Sequence, residues 1–356
     1  MSLFPRGPAR GQVPILNSAC PWASSEQDLA TLWDDPYTSA VTTRTATLEG
    51  FPDRAELHQV AFFGPEAHSS TNSYGYSPHP LSLYLKWLRA LLARPQSEQK
   101  KRRKRVIVSI TGTLQETREM LRMVQRFADA VEAVIAVECN ASCPNIPGHP
   151  PPAYNQEPLT EYLQLLASFA SPNLLVGVKL PPFTYQDQFD SVIGALRSVG
   201  SASDERHPIS FLTATNTLGQ GLVFASQETS VPRDVASSCR PLPADRLTAL
   251  PSPHSLSSAQ QSSTPNLSSG WGGLAGSTIH QLSLGNVARL ASLLRDPDER
   301  DQRLKEIVLI GVGGASDAEG VERFRRAGAD AVACATALGR EGPAVFAKMA
   351  QMPAKL

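Results

Sequence analysis

The chain has 356 residues, enough to bury one large core or two smaller ones. Its 33 basic and 33 acidic side chains cancel, which excludes a global electrostatic pull towards nucleic acid or anionic lipid. The five cysteines (Cys20, Cys139, Cys143, Cys239 and Cys334) are odd in number and lack CxxC spacing, which points to reduced thiols and away from any metal site.

The N-terminal MSLFPRGPARGQVPILNS has no long apolar stretch, and no span approaches the length needed to cross a bilayer. The expectation is a soluble cytoplasmic protein without membrane or nucleic-acid partners. From there, short apolar runs alternate with helical patterns. Strands are expected at Ser39–Thr43 and His58–Phe63, then a helix at Leu81–Leu92 and a strand at Val106–Ile110. A helix at Gln115–Ala130, a strand at Ala133–Glu138 and a helix at Thr160–Ala167 follow. Next come strand Leu174–Leu180, helix Asp187–Val199 and strand Ile209–Thr213. Helix Leu284–Leu294, strand Ile307–Ile310, helix Asp317–Ala327 and strand Ala331–Ala335 complete the series. Strands alternating with amphipathic helices mean βα units and a parallel sheet. Eight of them predict a closed (β/α)8 TIM barrel, with an open doubly wound sheet as the alternative.

Two stretches break the rhythm. KKRRKR (Lys100–Arg105) has the composition of a nuclear-import or nucleic-acid patch, but it abuts a strand and reads as a solvated loop. Residues 226–269, rich in Ser, Pro and Thr, cannot offset their chain entropy and are expected to form a disordered insertion after the sixth strand. The rest, within 1–356, is expected to be one barrel domain.

The segment VECNASCPNIPGHPPPAYN places Cys143 on a loop past a strand end, where Pro144, Pro147 and Gly148 stop the strand. The thiol is either an inert packing residue or an acid/base group flanked by Asn140 and Asn145. In a barrel the loops after strands seven and eight often hold a phosphate. Here those strands end in LIGVGGASDAEG and ACATALGREGP. Gly311, Gly313 and Gly314 let the backbone approach an anion, Thr336 offers a hydroxyl, and GWGGLAGS (Gly270–Ser277) adds further amides. Lys179, set among apolar neighbours in LLVGVKLPP, needs a partner inside the barrel: an anion, an electron-rich ring or Glu138 on the neighbouring strand.

ECNASCPNIPG, VGVKLPP, TATNTLGQGL, GWGGLAG, LIGVGGASDAEG and ATALGREGPAVF occur in that order. Together they resemble the class 1 dihydroorotate dehydrogenases, FMN-dependent barrels that oxidise dihydroorotate to orotate in pyrimidine synthesis. The resemblance implies that Cys143 is the base and that Lys179 lies beside the flavin. It implies a substrate set of Arg44, Asn72, Tyr74, Gly75, Tyr76, Asn140, Asn145, Asn216 and Thr217. Its FMN set is Ser18, Ala19, Arg44, Thr45, Asn140, Lys179, Thr215, Gly276, Gly313, Gly314, Ala335 and Thr336. A cysteine base and the expected lack of an N-terminal membrane helix set the chain apart from the quinone-linked class 2 enzymes. Within class 1 it resembles most the homodimeric type that uses fumarate as electron acceptor; the NAD-linked type needs an iron–sulfur partner subunit. Asparagines suit the task, because a pyrimidinedione presents alternating N–H and C=O groups.

The chain departs from the family pattern at Arg44, where the family has lysine, at Cys20 and Ala335, where it has glycine, and at the bulkier Tyr74 and Tyr76. These changes motivate two other functions: an FMN oxidoreductase for another cyclic amide or conjugated carbonyl, and a non-catalytic barrel. A tRNA-dihydrouridine synthase fits less well, because only KKRRKR is strongly basic.

Overall fold

The computed structural model describes residues 3–4, 13–94, 104–131, 133–142, 151–200, 206–229 and 263–351. Eight parallel strands close into a barrel. In chain order they are β1 (Ile15–Asn17), β2 (Ala40–Thr42), β5 (Arg105–Ile110), β6 (Ile135–Asn140), β7 (Leu174–Leu180), β8 (Ile209–Ala214), β11 (Val308–Val312) and β12 (Ala331–Cys334). Antiparallel strands β3 (Val60–Phe63), β4 (Ser69–Asn72), β9 (Leu218–Gly221) and β10 (Gly272–Gly276) form a second sheet ordered β3-β4-β10-β9. Its strands come from excursions after β2 and β8. Both leave from C-terminal strand ends, so this sheet roofs that end of the barrel.

The expected barrel is present, with one exchange of strands. His58–Phe63 supplies β3 of the roof, and Ile15–Asn17 takes its place in the barrel. A three-residue strand carries too little pattern to be recognised alone. Its pairing with β2 rests on one backbone register, Leu16 with Ala40, and on a side chain that imitates the ladder. Asn17 Nδ2 donates to Thr42 O at 2.7 Å, and Thr42 N–H donates to Asn17 Oδ1 at 2.9 Å.

Helices α1 (Glu26–Asp34), α2 (Leu81–Leu92), α3 (Leu114–Val131), α4 (Gln156–Ala167), α5 (Gln186–Arg197), α6 (His280–Leu294), α7 (Ala318–Arg326), α8 (Thr336–Glu341) and α9 (Ala344–Ala350) pack outside. Strand alternation divides two cores. On β6, Val137 and Cys139 face the helices, whereas Ala136 joins Ile107, Leu175, Phe211, Ile310 and Ala333 inside the barrel. Leu3 and Phe4 belong to this inner cluster. Each of the buried Ile, Leu and Phe side chains contributes about 1.5–3 kcal/mol. Gly177 makes room for Phe211 at the centre: a Cβ there would lie 2.5 Å from the Phe211 ring.

Only part of the basic run is described, and there it is structural. Lys104 Nζ donates to Trp33 O at 2.7 Å, Asp35 O at 2.6 Å and Thr38 Oγ1 at 2.6 Å, closing the C-terminus of α1. The expected insertion lies mainly outside the described residues, at 230–262. Its flanks belong to the fold: Ala225 N–H donates to Thr264 O, Thr229 N–H donates to Phe62 O, and Leu267 is buried. No helix among the described residues is long and apolar enough to cross a membrane.

Candidate active site

A cleft opens at the C-terminal ends of the barrel strands, beneath the roof sheet, with about 940 Å³ of non-atom space including its open mouth. Gly311 backs onto the Phe324 ring outside the cleft, where a Cβ would lie 2.5 Å from it. The described residues of the substrate and FMN sets all line the cleft: Ser18, Ala19, Arg44 and Thr45 from the loops after β1 and β2, Asn72, Tyr74, Gly75 and Tyr76 from β4 and its exit, and Asn140, Lys179, Thr215, Asn216 and Thr217 from β6 to β8. Gly276, Gly313, Gly314, Ala335 and Thr336 line the opposite end. Cys143 and Asn145 lie outside the described residues, in the segment that begins just after Ser142.

Register explains much of this convergence. Asn140, Lys179 and Thr213 stand side by side on β6, β7 and β8, with inward-facing side chains at the strand ends. Lys179 is 4% exposed, and its Nζ donates to Ser18 Oγ at 2.9 Å and Ala19 O at 3.5 Å. It makes no ion pair with Glu138. The two Glu138 oxygens instead accept from Ser109 Oγ at 3.2 Å and Thr213 Oγ1 at 2.7 Å. Lys179 thus brings a positive charge to the cleft wall with only neutral oxygens as partners. A buried cation so placed favours an anionic or electron-rich occupant.

A continuous hydrogen-bonded network fixes the asparagines. Asn140 Nδ2 donates to Thr45 Oγ1 at 3.1 Å, and Thr45 Oγ1 lies 3.0 Å from Ser109 Oγ. Asn140 Oδ1 accepts from Ser142 Oγ at 2.7 Å and from Asn216 Nδ2 at 3.3 Å. Asn216 Nδ2 also donates to Ser142 Oγ at 2.9 Å. Buried amides held on several sides present fixed donors and acceptors to a ligand. Ser142, the last described residue before Cys143, is buried and doubly bonded.

Arg44 is clamped rather than extended. Its Nη1 lies 3.4 Å from Ser24 Oγ and 3.8 Å from Asp53 Oδ2, and its guanidinium carbon stands 5.2 Å from the Tyr74 ring centre. Nη2 is buried without a hydrogen-bond partner among the described residues. Gly75 must be glycine, since a Cβ would lie 2.2 Å from the Phe51 ring. Cys20 also lines the cleft, and burial pushes its thiol up to about 12, so it is not a base.

The far end is a cradle of glycines with positive φ: Gly276 at 76°, Gly313 at 132° and Gly314 at 80°. A Cβ on Gly276 would lie 2.1 Å from His68 O, and one on Gly313 would lie 2.1 Å from Ser283 Oγ. The Gly314 N–H has no acceptor among the described residues. Close backbone, such an amide and the Thr336 hydroxyl, 2.9 Å from Ser70 Oγ, suit a phosphate. Ser70 escaped the sequence reading, although it shares a face with Asn72 two residues along β4. Ser24 and Asp53 carry no local signal. Among the described residues no three His, Cys, Asp or Glu side chains gather as metal ligands.

The family model for dihydroorotate dehydrogenase matches residues 37–235 and 245–355. The chain belongs to the dihydroorotate dehydrogenase family. Members of this family are flavoproteins. Among curated relatives, a dihydroorotate dehydrogenase (fumarate) of Trypanosoma cruzi strain CL Brener is 28% identical over 337 residues, 94% of this chain and 87% of that protein. A protein of Streptococcus pyogenes serotype M5 strain Manfredo, provisionally named dihydroorotate dehydrogenase A (fumarate), is 26% identical over 336 residues, 94% of this chain and 86% of that one.

Proposed function

We propose that this chain oxidises dihydroorotate to orotate, with FMN as its flavin and fumarate as the electron acceptor. The observation that carries the reading is the single cleft in which a buried Lys179, a network of asparagines and a glycine cradle meet. These residues fit FMN. Gly276, Gly313, Gly314 and Thr336 would hold its phosphate, where any larger residue at the glycines would collide. Ser18, Ala19, Thr45, Thr215 and Lys179 would hold its ring system. Ala335 keeps this contact small where the family has glycine.

Converting dihydroorotate to orotate removes one proton and one hydride; bound FMN supplies the hydride acceptor. Cys143, which follows Ser142 in the sequence, would take the proton as thiolate. Lys179 stabilises negative charge developing beside it, in a site that burial makes electrostatically strong. Asn72, Asn140, Asn145, Asn216 and Thr217 grip the pyrimidine edge, and the unpartnered Nη2 of Arg44 awaits the substrate carboxylate. Tyr74 and Tyr76 restrict the same end. A homodimer is part of the same reading and rests on the family resemblance, with the cytoplasm as the default address.

Purified holoprotein supplied with dihydroorotate and fumarate should form orotate, and should do so faster than with NAD or a quinone. Absence of orotate with every acceptor would end the reading. The clamp of Arg44 by Tyr74 and Asp53 favours a second reading, a flavin oxidoreductase for another cyclic amide. Turnover of 5,6-dihydrouracil without turnover of dihydroorotate would select it.

A further inference from the structure

His280 opens α6, is 6% exposed and plays no part in the chemistry above. Its Nδ1 lies 2.7 Å from Gly313 O, and Arg323 Nε of α7 donates to its Nε2 at 2.9 Å. Arginine is a permanent donor, so Nε2 accepts and the ring proton sits on Nδ1, donating to the Gly313 carbonyl. The imidazole is therefore neutral and of one tautomer. Burial lowers its pKa, with the Gly313 bond acting in the opposite direction and the nearby Arg323 and Asp317 charges opposing each other. The Phe324 ring meets it edge-on at 5.4 Å.

The Gly313 carbonyl shares a peptide plane with the Gly314 N–H, and in a trans peptide the two point in opposite directions. Glycines on both sides leave that plane little intrinsic preference, because either can reach φ values of both signs. An anchored carbonyl consequently aims the amide. Gly314 lines the cleft, and its N–H has no acceptor among the described residues.

We propose that His280 is a positioning residue: its neutral ring, held by Arg323, latches the Gly313–Gly314 peptide so that the Gly314 N–H faces the cofactor phosphate. The inference rests on the FMN reading and extends it to residues that need not touch the cofactor. Ser283 supports the same turn from the other side, packing against Gly313 while its Oγ lies 2.9 Å from Thr215 Oγ1.

Riboflavin lacks the phosphate and so separates a latch from a structural prop. In full-length protein stripped of flavin, His280→Ala should weaken FMN binding at least tenfold, read by flavin fluorescence, and leave riboflavin binding within twofold of wild type. His280→Asn places an amide donor near the Nδ1 position and should restore FMN binding to within about threefold. Arg323→Met, at a partly exposed position, should weaken FMN binding modestly and leave riboflavin binding unchanged. Equal losses for both flavins, or an unchanged FMN affinity in His280→Ala, would overturn the latch while leaving the FMN reading intact. Wild-type protein that binds neither flavin would overturn both.

Discussion

Lys179 Nζ, at the end of the fifth barrel strand, lies 2.9 Å from Ser18 Oγ, just past the first. A buried ammonium with hydroxyl and carbonyl partners makes no ion pair among the described residues. It is costly to the fold and useful to a ligand. Lys179→Gln should leave thermal stability equal or higher and slow flavin reduction by dihydroorotate about 10²–10³-fold, the usual cost of removing a preorganised charge stabiliser. A variant that melts early yet reduces its flavin normally would contradict this placement.

Arg44 offers a second contrast. Its buried Nη2 has no partner among the described residues, while Nη1 is shared between Ser24 and Asp53. Arg44→Met should raise KM for dihydroorotate about 10–100-fold, as expected when a charge-assisted hydrogen bond worth about 1.5–3 kcal/mol is lost. It should change kcat less. Asp53→Asn, at a half-exposed partner 3.8 Å away, should move KM far less than Arg44→Met.

The three described thiols are all buried. Burial pushes Cys20 and Cys139 up to about 12 and Cys334 higher still, so none is a thiolate near neutral pH. Native protein treated with iodoacetamide at pH 8 should carry no label at these three positions by peptide mass analysis. If Cys143 is the base it should be labelled, and orotate should protect it.

Two buried histidines contribute to the pH dependence of the fold. Burial lowers the pKa of both His207 and His280, although backbone carbonyl bonds at each act the other way. Folded values below the unfolded one mean that the unfolded chain takes up protons first. Their stability contribution is therefore complete above the usual histidine value of about 6.5 and declines as pH falls through it. The urea midpoint should be level from pH 8 to 7 and fall towards pH 5.5. The slope has a ceiling of about 1.4 kcal/mol per pH unit for each histidine. His207 bonds Leu196 O at 3.0 Å, and His207→Gln should flatten the decline.

The barrel was legible where strands were long and punctuated. Leu174–Leu180 is an apolar run closed by Pro181 and Pro182, and it is β7 to the residue. β1 was not legible, because a three-residue strand completed by the Asn17 side chain has no periodicity to detect. β3 read as a barrel strand because alternation cannot say which sheet a strand joins. The cleft-lining asparagines and glycines were visible as motifs. Their support was not: Ser24 and Asp53 reach Arg44 from distant loops, and Arg323 reaches Gly313 only through His280. Such contacts exist only once the barrel has brought separate loops together.

The most direct test of the account is an anaerobic titration of the purified, FMN-loaded protein with dihydroorotate, followed by visible absorption. The flavin band should bleach stoichiometrically, orotate should appear in equal amount, and fumarate should restore the colour. A flavin band that persists in excess dihydroorotate while dithionite bleaches it would contradict the proposed reaction.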